Sequence, residues 1–372
     1  MCAALFVSLL LLPYAVVLGA CAVAVRRALC VHEAAGTGSG AGAPALSVVV
    51  CVSREEVPTL RRCLGSLARA MRAGDAVVVV ADHCDSAVAL WLADEWGRRP
   101  GFRVIANGGA RGKKSAQRLG VASAPTRAVL SVDADCVVGP GALDSVRRRV
   151  PADGGFMLLL PVFMVGGGGG LLGRMVEMEF VCLQVVTAGS ALLGRPTMAN
   201  GAGMAFCRGL YMSHDARADY ASGDDMFLLA EACRRRLPVR FVFDRRALVR
   251  TAAPASVSDY LRQRVRWLSK AGGYSAGRGA AATVALAWCV LAAVLAFPLA
   301  VVLAACGVAG WWLAAGAFLV KLAVDVATFA AGRRLWPSGA GLWVGLPLEA
   351  LYPVMTAVVA LRAAFADRRG WG

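Results

Sequence analysis

Two aspartates two residues apart, Asp133 and Asp135, close the apolar run Ala128, Val129, Leu130, Val132. On an extended backbone such residues point to the same side, so the strand's end offers both carboxylates together. Paired hard oxygens there can seat a divalent cation that keeps positions open for phosphate oxygens. An isolated Asp-Ala-Asp triplet reads as well as an acidic loop behind a core strand, and it is the company of this one that gives it weight. Asp82 follows another valine-rich run, Lys113 lies in the glycine-rich GGARGKK, and Asp224-Asp225 open a helical pattern in which, alone, they would serve as first-turn acids. Gln263, Arg266 and Trp267 fall at i, i+3 and i+4 in the basic amphipathic stretch 257–270 and share one helix face. By itself that stretch reads as an interfacial anchor, with arginine on headgroups and tryptophan in the aromatic belt.

The elements that must carry these residues alternate. Runs at 46–53, 76–82, 102–107 and 128–133 have the composition of strands, and helical patterns separate them at 57–71, at 87–98 and from Ser115. Such alternation predicts an α/β fold with a doubly wound, mostly parallel sheet, whose ligands bind beyond the carboxyl ends of the strands. Polar residues stand at each of those ends: Ser53-Arg54-Glu55, Asp82-His83, Lys113, and the Asp133–Asp135 pair. Further on, 171–193 reads as a helix of mixed faces against the membrane, 198–209 as a loop entering a strand, and 236–244 as a strand.

Composition sets the surroundings. Hydrophobic residues make up 58% of 372, and the excess lies at the two ends; lysine and arginine outnumber aspartate and glutamate by 40 to 24, a net charge of +16. That surplus suits an anionic bilayer and phosphate-bearing ligands, and with no nucleic-acid motif in the chain nucleic acid is not an expected partner. Twelve cysteines without a C-x-x-C pair read as small core residues in a reducing compartment. Residues 3–25 are apolar and end at Arg26-Arg27, which predicts a membrane anchor with the following chain in the cytoplasm. Two more spans are expected at 281–306 and 309–332, the second holding Lys321 and Asp325 as a mutually neutralising pair. The stretch 341–361, with Pro347, Glu349 and Pro353, is expected to be re-entrant or interfacial. The organisation is therefore an anchor at 1–28, a linker at 29–45, an α/β domain at 46–256, an amphipathic segment at 257–280 and a membrane region at 281–372.

The order Asp82, Lys113, Asp133-x-Asp135, Asp224-Asp225 and Gln263-x-x-Arg266-Trp267, ahead of C-terminal apolar segments, resembles membrane-bound family 2 glycosyltransferases. These are the inverting enzymes of GT-A fold that include ceramide glucosyltransferase and the cellulose and hyaluronan synthases. The resemblance covers about residues 46–270. It implies a Rossmann-like nucleotide-sugar domain, with Asp82 on the uracil or ribose and Lys113 on the nucleotide. It further implies Asp133 and Asp135 on nucleotide and metal (Mg2+ or Mn2+), with Asp135 the direct ligand. Asp225, beside Asp224, would be the general base, and Gln263, Arg266 and Trp267 would cover the diphosphate and line the acceptor site. The chain departs from the family pattern at Gly203, where Asn is usual, and at Ser53-Arg54-Glu55. An inverting transfer needs a base on the acceptor hydroxyl, and the three histidines (His32, His83, His214) sit in no triad-like setting. The expected activity is transfer of a sugar from a nucleotide sugar, UDP-linked, to a lipid or glycan acceptor at the plasma or inner membrane. A processive polysaccharide synthase and a membrane adaptor with a degenerate domain are the alternatives.

Overall fold

The structure is a computed structural model that describes residues 2–34, 44–165, 170–214, 223–269 and 280–365. Most of the glycine-rich linker, Gly166 to Gly169, Ser222, Lys270 and the tail from 366 lie outside the described residues. The chain forms two compact units. One is an α/β unit, His32–Val165 with Met198–Ala252; the other is a helical unit, Met1–Val31, Gly166–Thr197 and Ala253–Asp367.

Strands β1 (Leu46–Val52), β2 (Ala76–Ala81), β3 (Phe102–Ala106) and β4 (Ala128–Asp133) are parallel, in the order β3-β2-β1-β4. Their valine runs lack alternation, the pattern of strands covered on both faces, and Val48 to Val50 and Val77 to Val80 are all buried. The sheet continues through β8 (Met204–Cys207), antiparallel to β4, then β6 (Met157–Leu159) and β9 (Val239–Phe241). Strand β4, which delivers Asp133, is thus the central strand of seven. A smaller sheet joins β5 (Val137–Val138), β10 (Val249–Ala252) and β7 (Val162–Val165), in the order β5-β10-β7.

The covering helices are α2 (Val57–Ala70), α3 (Ser86–Trp91, continued by a π-helical turn at Leu92–Trp96), α4 (Lys113–Ser123), α5 (Ala142–Arg147), α7 (Arg208–Ser213) and α8 (Asp224–Arg234). In α2, Leu60, Cys63, Leu64 and Leu67 recur at helical spacing and are buried, while Pro58 occupies the first turn, where its missing N–H costs nothing. Helix α4 begins at Lys113, two residues before the sequence pattern suggests, so both lysines of RGKK sit in its first turn. A Cβ on Gly120 would stand 2.5 Å from Val49 Cγ1, so glycine here lets α4 lie directly on the sheet.

The helical unit contains α1 (Cys2–Ala34), α6 (Leu171–Leu192), α9 (Val257–Leu268), α10 (Ala281–Ala305), α11 (Trp311–Gly332) and α12 (Gly345–Ala364). All but α9 are long and apolar enough to cross a membrane. Helix α12 runs unbroken through Pro353, and Pro347 falls in its first turn. Helix α6 is largely buried within the unit. The expected Lys321–Asp325 pair is present at 2.8 Å, and it is larger than the spacing suggests. Lys321 Nζ also donates to Glu349 Oε2 at 2.9 Å, and the Tyr14 hydroxyl donates to Asp325. These groups join α1, α11 and α12 through partners that satisfy one another, as an apolar interior requires.

Candidate active site

The carboxyl ends of β2 and β4 and the first turns of α4 and α8 bring six of the nine sequence-derived residues into the α/β unit: Asp82, Lys113, Asp133, Asp135, Asp224 and Asp225. The other three, Gln263, Arg266 and Trp267, are on α9 in the helical unit.

Asp82 extends β2 and is 2% exposed. Its Oδ1 accepts from Asn107 Nδ2 at 2.7 Å and its Oδ2 from the Gly112 N–H at 2.9 Å. Asn107 in turn donates to Ala110 O at 3.1 Å and accepts from the Gly109 N–H at 3.2 Å. The glycine-rich loop is therefore wound around one amide and pinned by one carboxylate. Gly112 takes φ +138°, a conformation that suits glycine, and directly precedes α4. A helix start in this position is the kind of element whose N–H groups can hold phosphate. His83 Nδ1 lies 3.1 Å from Oδ1 as well, so of the roughly four hydrogen bonds a carboxylate can accept Asp82 keeps room for about one more.

The consecutive lysines diverge. Lys113 Nζ donates to Asp133, while Lys114 Nζ lies 3.5 Å from Asp224 Oδ1. Burial opposes the Lys113 charge, but Asp133 outweighs it and the pKa rises above the ordinary lysine value, so the ammonium stays protonated. Cys51, at the carboxyl end of β1, registers how closely these charges gather. Burial pushes its thiol up to about 12, Lys113 draws it down, and Asp133, Asp82 and Asp224 push it up again.

Asp135 opens to solvent. Its Oδ2 accepts from Thr251 Oγ1 at 3.3 Å, a contact supplied by β10 of the small sheet. Desolvation by the surrounding protein, and then the Asp133 carboxylate, raise its pKa. Two anions this close, one open to solvent, fit a divalent cation by donor chemistry and charge. Among the described residues no three His, Cys, Asp or Glu side chains converge. A cation held by Asp133 and Asp135 would therefore complete its shell with water and phosphate oxygens.

The two acids of α8 are not equivalent. Asp225 Oδ2 accepts from the Gly201 N–H at 3.0 Å and its Oδ1 from the Met226 N–H at 2.8 Å. The position a Cβ on Gly201 would take lies 3.7 Å from Asp225 Oδ2 and 3.8 Å from Lys113 Nζ, so carboxylate and ammonium border one small volume. Asp224 is 5% exposed, and among the described residues neither of its oxygens has a hydrogen-bond partner. Burial, offset by Lys114 and Lys113, raises its pKa from 3.8 to about 6. The helix start that delivers both acids is capped by Gly223 at φ +103°. At Gly203, where Asn is usual in the family pattern, a Cβ would stand 3.1 Å from Val162 Cγ2 and 3.2 Å from Leu160 Cβ, which leaves little room for a side chain.

Three contributors escaped the sequence reading: Asn107, Thr251 and Lys114. Asn107 and Lys114 had a signal, being polar residues beside Asp82's loop and Lys113; Thr251 had none, as it reaches Asp135 from 116 residues away. In α9, Ser256 caps the helix by accepting from the Asp259 N–H at 3.1 Å, and its hydroxyl donates to Asp259 Oδ2 at 2.7 Å. Gln263 and Trp267 are half-buried and Arg266 is exposed.

The profile of the family described as "Glycosyltransferase like family 2" matches residues 44–269. An N-acetylglucosaminyltransferase of Sinorhizobium fredii (strain NBRC 101917 / NGR234) is 26% identical over 246 residues, which are 62% of this chain and 58% of that protein. The chain thus spans less than two thirds of that relative's length. Among solved structures, the mannosyltransferase PcManGT from Pyrobaculum calidifontis, in complex with GDP-Man and Mn2+, superposes with a TM-score of 0.57. It is 19% identical, with 98% of each chain covered. At that identity the likeness is one of fold, and the fold is of the GT-A type.

Proposed function

Because this chain belongs to the glycosyltransferase-like family 2, we propose that it transfers a sugar, with inversion, from a nucleotide sugar to a lipid-borne acceptor at the membrane, one or a few sugars at a time. The observation that carries this reading is the gathering of Lys113, Asp133, Asp135 and Asp225 where β4, α4 and α8 begin or end. In this reading Asp225 takes the proton of the acceptor hydroxyl, whose oxygen then attacks the anomeric carbon. The bond from that carbon to the diphosphate breaks on the opposite face, and the diphosphate leaves with its electrons. Lys113 and Arg266 offset the charge that develops on it. A divalent ion on Asp133 and Asp135, Mn2+ or Mg2+, would supply further positive charge there; the Mn2+ and GDP-Man bound by the mannosyltransferase of like fold are consistent with such a site. Asp82 and the Gly112 loop would hold the nucleoside, with uridine the first to test, and Gln263 and Trp267 would contribute to diphosphate and acceptor binding.

Membrane placement follows from charge. Cys30, near the end of α1, lies 3.9 Å from Arg334, so the basic pairs Arg26-Arg27 and Arg333-Arg334 close neighbouring helix ends. Basic residues at helix ends favour the cytoplasmic side, and we place the α/β unit there. A lipid-borne acceptor agrees with the exposed apolar surfaces of α1, α10 and α12 and with Trp267 on an amphipathic helix. The test is to incubate purified protein and membrane lipids with a panel of labelled nucleotide sugars. A discrete labelled glycolipid in the organic phase is the expected product. A water-soluble polymer that lengthens with time would refute single addition, and absence of transfer from every donor would refute the activity.

A further inference from the structure

Helix α9 carries three arginines, and one of them is unlike the rest. Arg262 and Arg266 are exposed, whereas Arg264 is 8% exposed and its guanidinium is engaged on every side. Its Nε donates to Glu179 Oε1 at 3.2 Å and its Nη2 to Glu179 Oε2 at 2.5 Å, a two-pronged pair with a carboxylate of α6 that is itself 8% exposed. The Tyr260 and Tyr352 hydroxyls donate to Glu179 Oε1 at 3.3 and 3.4 Å, so the carboxylate is fixed from α9 and α12 as well. The third face of the guanidinium turns toward the binding residues. Nη1 donates to Gln263 Oε1 at 2.7 Å, and the guanidinium carbon lies 4.2 Å from the centre of the Trp267 ring.

An ion pair of this kind is a poor source of net stability, because desolvating two charges offsets most of their attraction. Its usefulness here lies in what it orients. Arginine can only donate, so an amide beside it must turn its oxygen inward. The Gln263 NH2 is then left to point away from Arg264, as a donor for phosphate oxygens. Stacking on the same guanidinium fixes the tilt of the indole and occupies one of its faces.

We propose that Arg264, clamped by Glu179, is a positioning residue that sets the amide of Gln263 and the ring of Trp267 for the donor and acceptor. The proposal rests on the reading of those two residues as substrate-binding, and it extends the site to a residue pair outside the Asp82-to-Trp267 pattern. Binding groups held by a rigid supporting pair bind better than the same groups left to wander.

The test uses the full chain in lipid nanodiscs, with Arg264→Met, Arg264→Lys, Glu179→Gln and Gln263→Ala. Arg264→Lys keeps the charge facing Glu179 but cannot reach Glu179, Gln263 and the indole together, so it guards against loss of fold. Both Arg264 variants and Glu179→Gln should raise the donor KM roughly tenfold, the scale of one charged hydrogen bond, with kcat changed less. Adding Gln263→Ala to Arg264→Met should cost little more, as the two share one contact. In protein labelled with 5-fluorotryptophan, the Trp267 resonance, assigned by its loss in Trp267→Phe, should shift in Arg264→Lys and Glu179→Gln. An unchanged donor KM and an unmoved resonance in Arg264→Lys and Glu179→Gln would overturn the clamp while leaving the transferase reading intact. If no nucleotide sugar is used at all, the transferase reading falls, and the resonance alone decides whether the clamp exists.

Discussion

Replacing Asp224 by asparagine should make the protein more stable, by an amount that depends on pH. Asp224 is buried, has no hydrogen bond to either oxygen from the described residues, and has its pKa raised from 3.8 to about 6. Between those two values the folded chain holds a proton that the unfolded chain has released. Stability is therefore greatest below about 4 and is lost as pH rises through about 6. Two units correspond to about 3 kcal/mol at neutral pH. Asparagine keeps the shape and removes that charge, but it also removes the negative charge 3.5 Å from Lys114 Nζ, so the net gain is about 1–3 kcal/mol. In an α/β unit of this size that is a rise of about 3–10 °C in the melting midpoint. Melting in mild detergent, followed from pH 4.5 to pH 8, should show Asp224→Asn above wild type at pH 8 and converging on it near pH 4.5. A gain of equal size at both pH values, or none at pH 8, would refute the argument that an ionised, poorly paired Asp224 burdens the fold. A carboxylate kept at such cost belongs to a working site, so the stabilised variant should also transfer sugar more slowly.

Asp225→Asn should leave donor binding near wild type and lower turnover by about 10²-fold or more, measured as initial rate at saturating donor; normal turnover with a dead Asp224→Asn would reverse the roles of the pair. Chelation should abolish transfer and Mn2+ or Mg2+ restore it in wild type, whereas Asp135→Ala should stay inactive with metal added. Full activity in chelator would remove the cation from the site. Thr251→Val deletes the hydroxyl that steadies Asp135 and should raise the metal concentration needed for half-maximal rate several-fold, at unchanged protein stability. For topology, a cysteine placed after α12 should resist an impermeant thiol reagent on intact cells, because Arg362 and the basic tail favour the cytoplasmic side; with Arg333-Arg334 on that side too, α12 would then be re-entrant or interfacial and not cross.

Much of the α/β unit is readable in the chain because parallel strands announce themselves. The runs at Val48–Val50 and Val77–Val80 have no polar alternation, and the second leads into Asp82, which the fold sets against the Gly112 loop. What stays hidden is pairing across distance. The two lysines of RGKK look interchangeable, yet successive residues of a helix point about 100° apart, so one meets Asp133 and the other Asp224. Glu179 reads as a polar residue in an otherwise apolar helix. Its arginine is 85 residues away, and only tertiary packing shows that the carboxylate is already spoken for. The pair Lys321–Asp325 is visible at i, i+4, but Glu349 and Tyr14 come from other helices.

The central sheet draws strands from both sides of α6. Strand β4 pairs with β8, and β6 with β8 and β9, so segments before residue 166 and after residue 197 are woven into one layer. A layer of hydrogen-bonded strands cannot be divided between two aqueous compartments. Whatever depth α6 reaches, the chain must make no net passage between β7 and β8, although α6 is apolar enough to be taken for a span. During synthesis the insertion machinery meets a segment that it could thread across, and threading it would strand β8 and β9 on the wrong side of the bilayer. Glu177, Glu179 and Gln184 lower the apolar character of α6, and each charge in a would-be span disfavours its release into lipid. In a chain inserted as it is made, the same glutamate that holds Arg264 would also weigh against threading α6 across the bilayer.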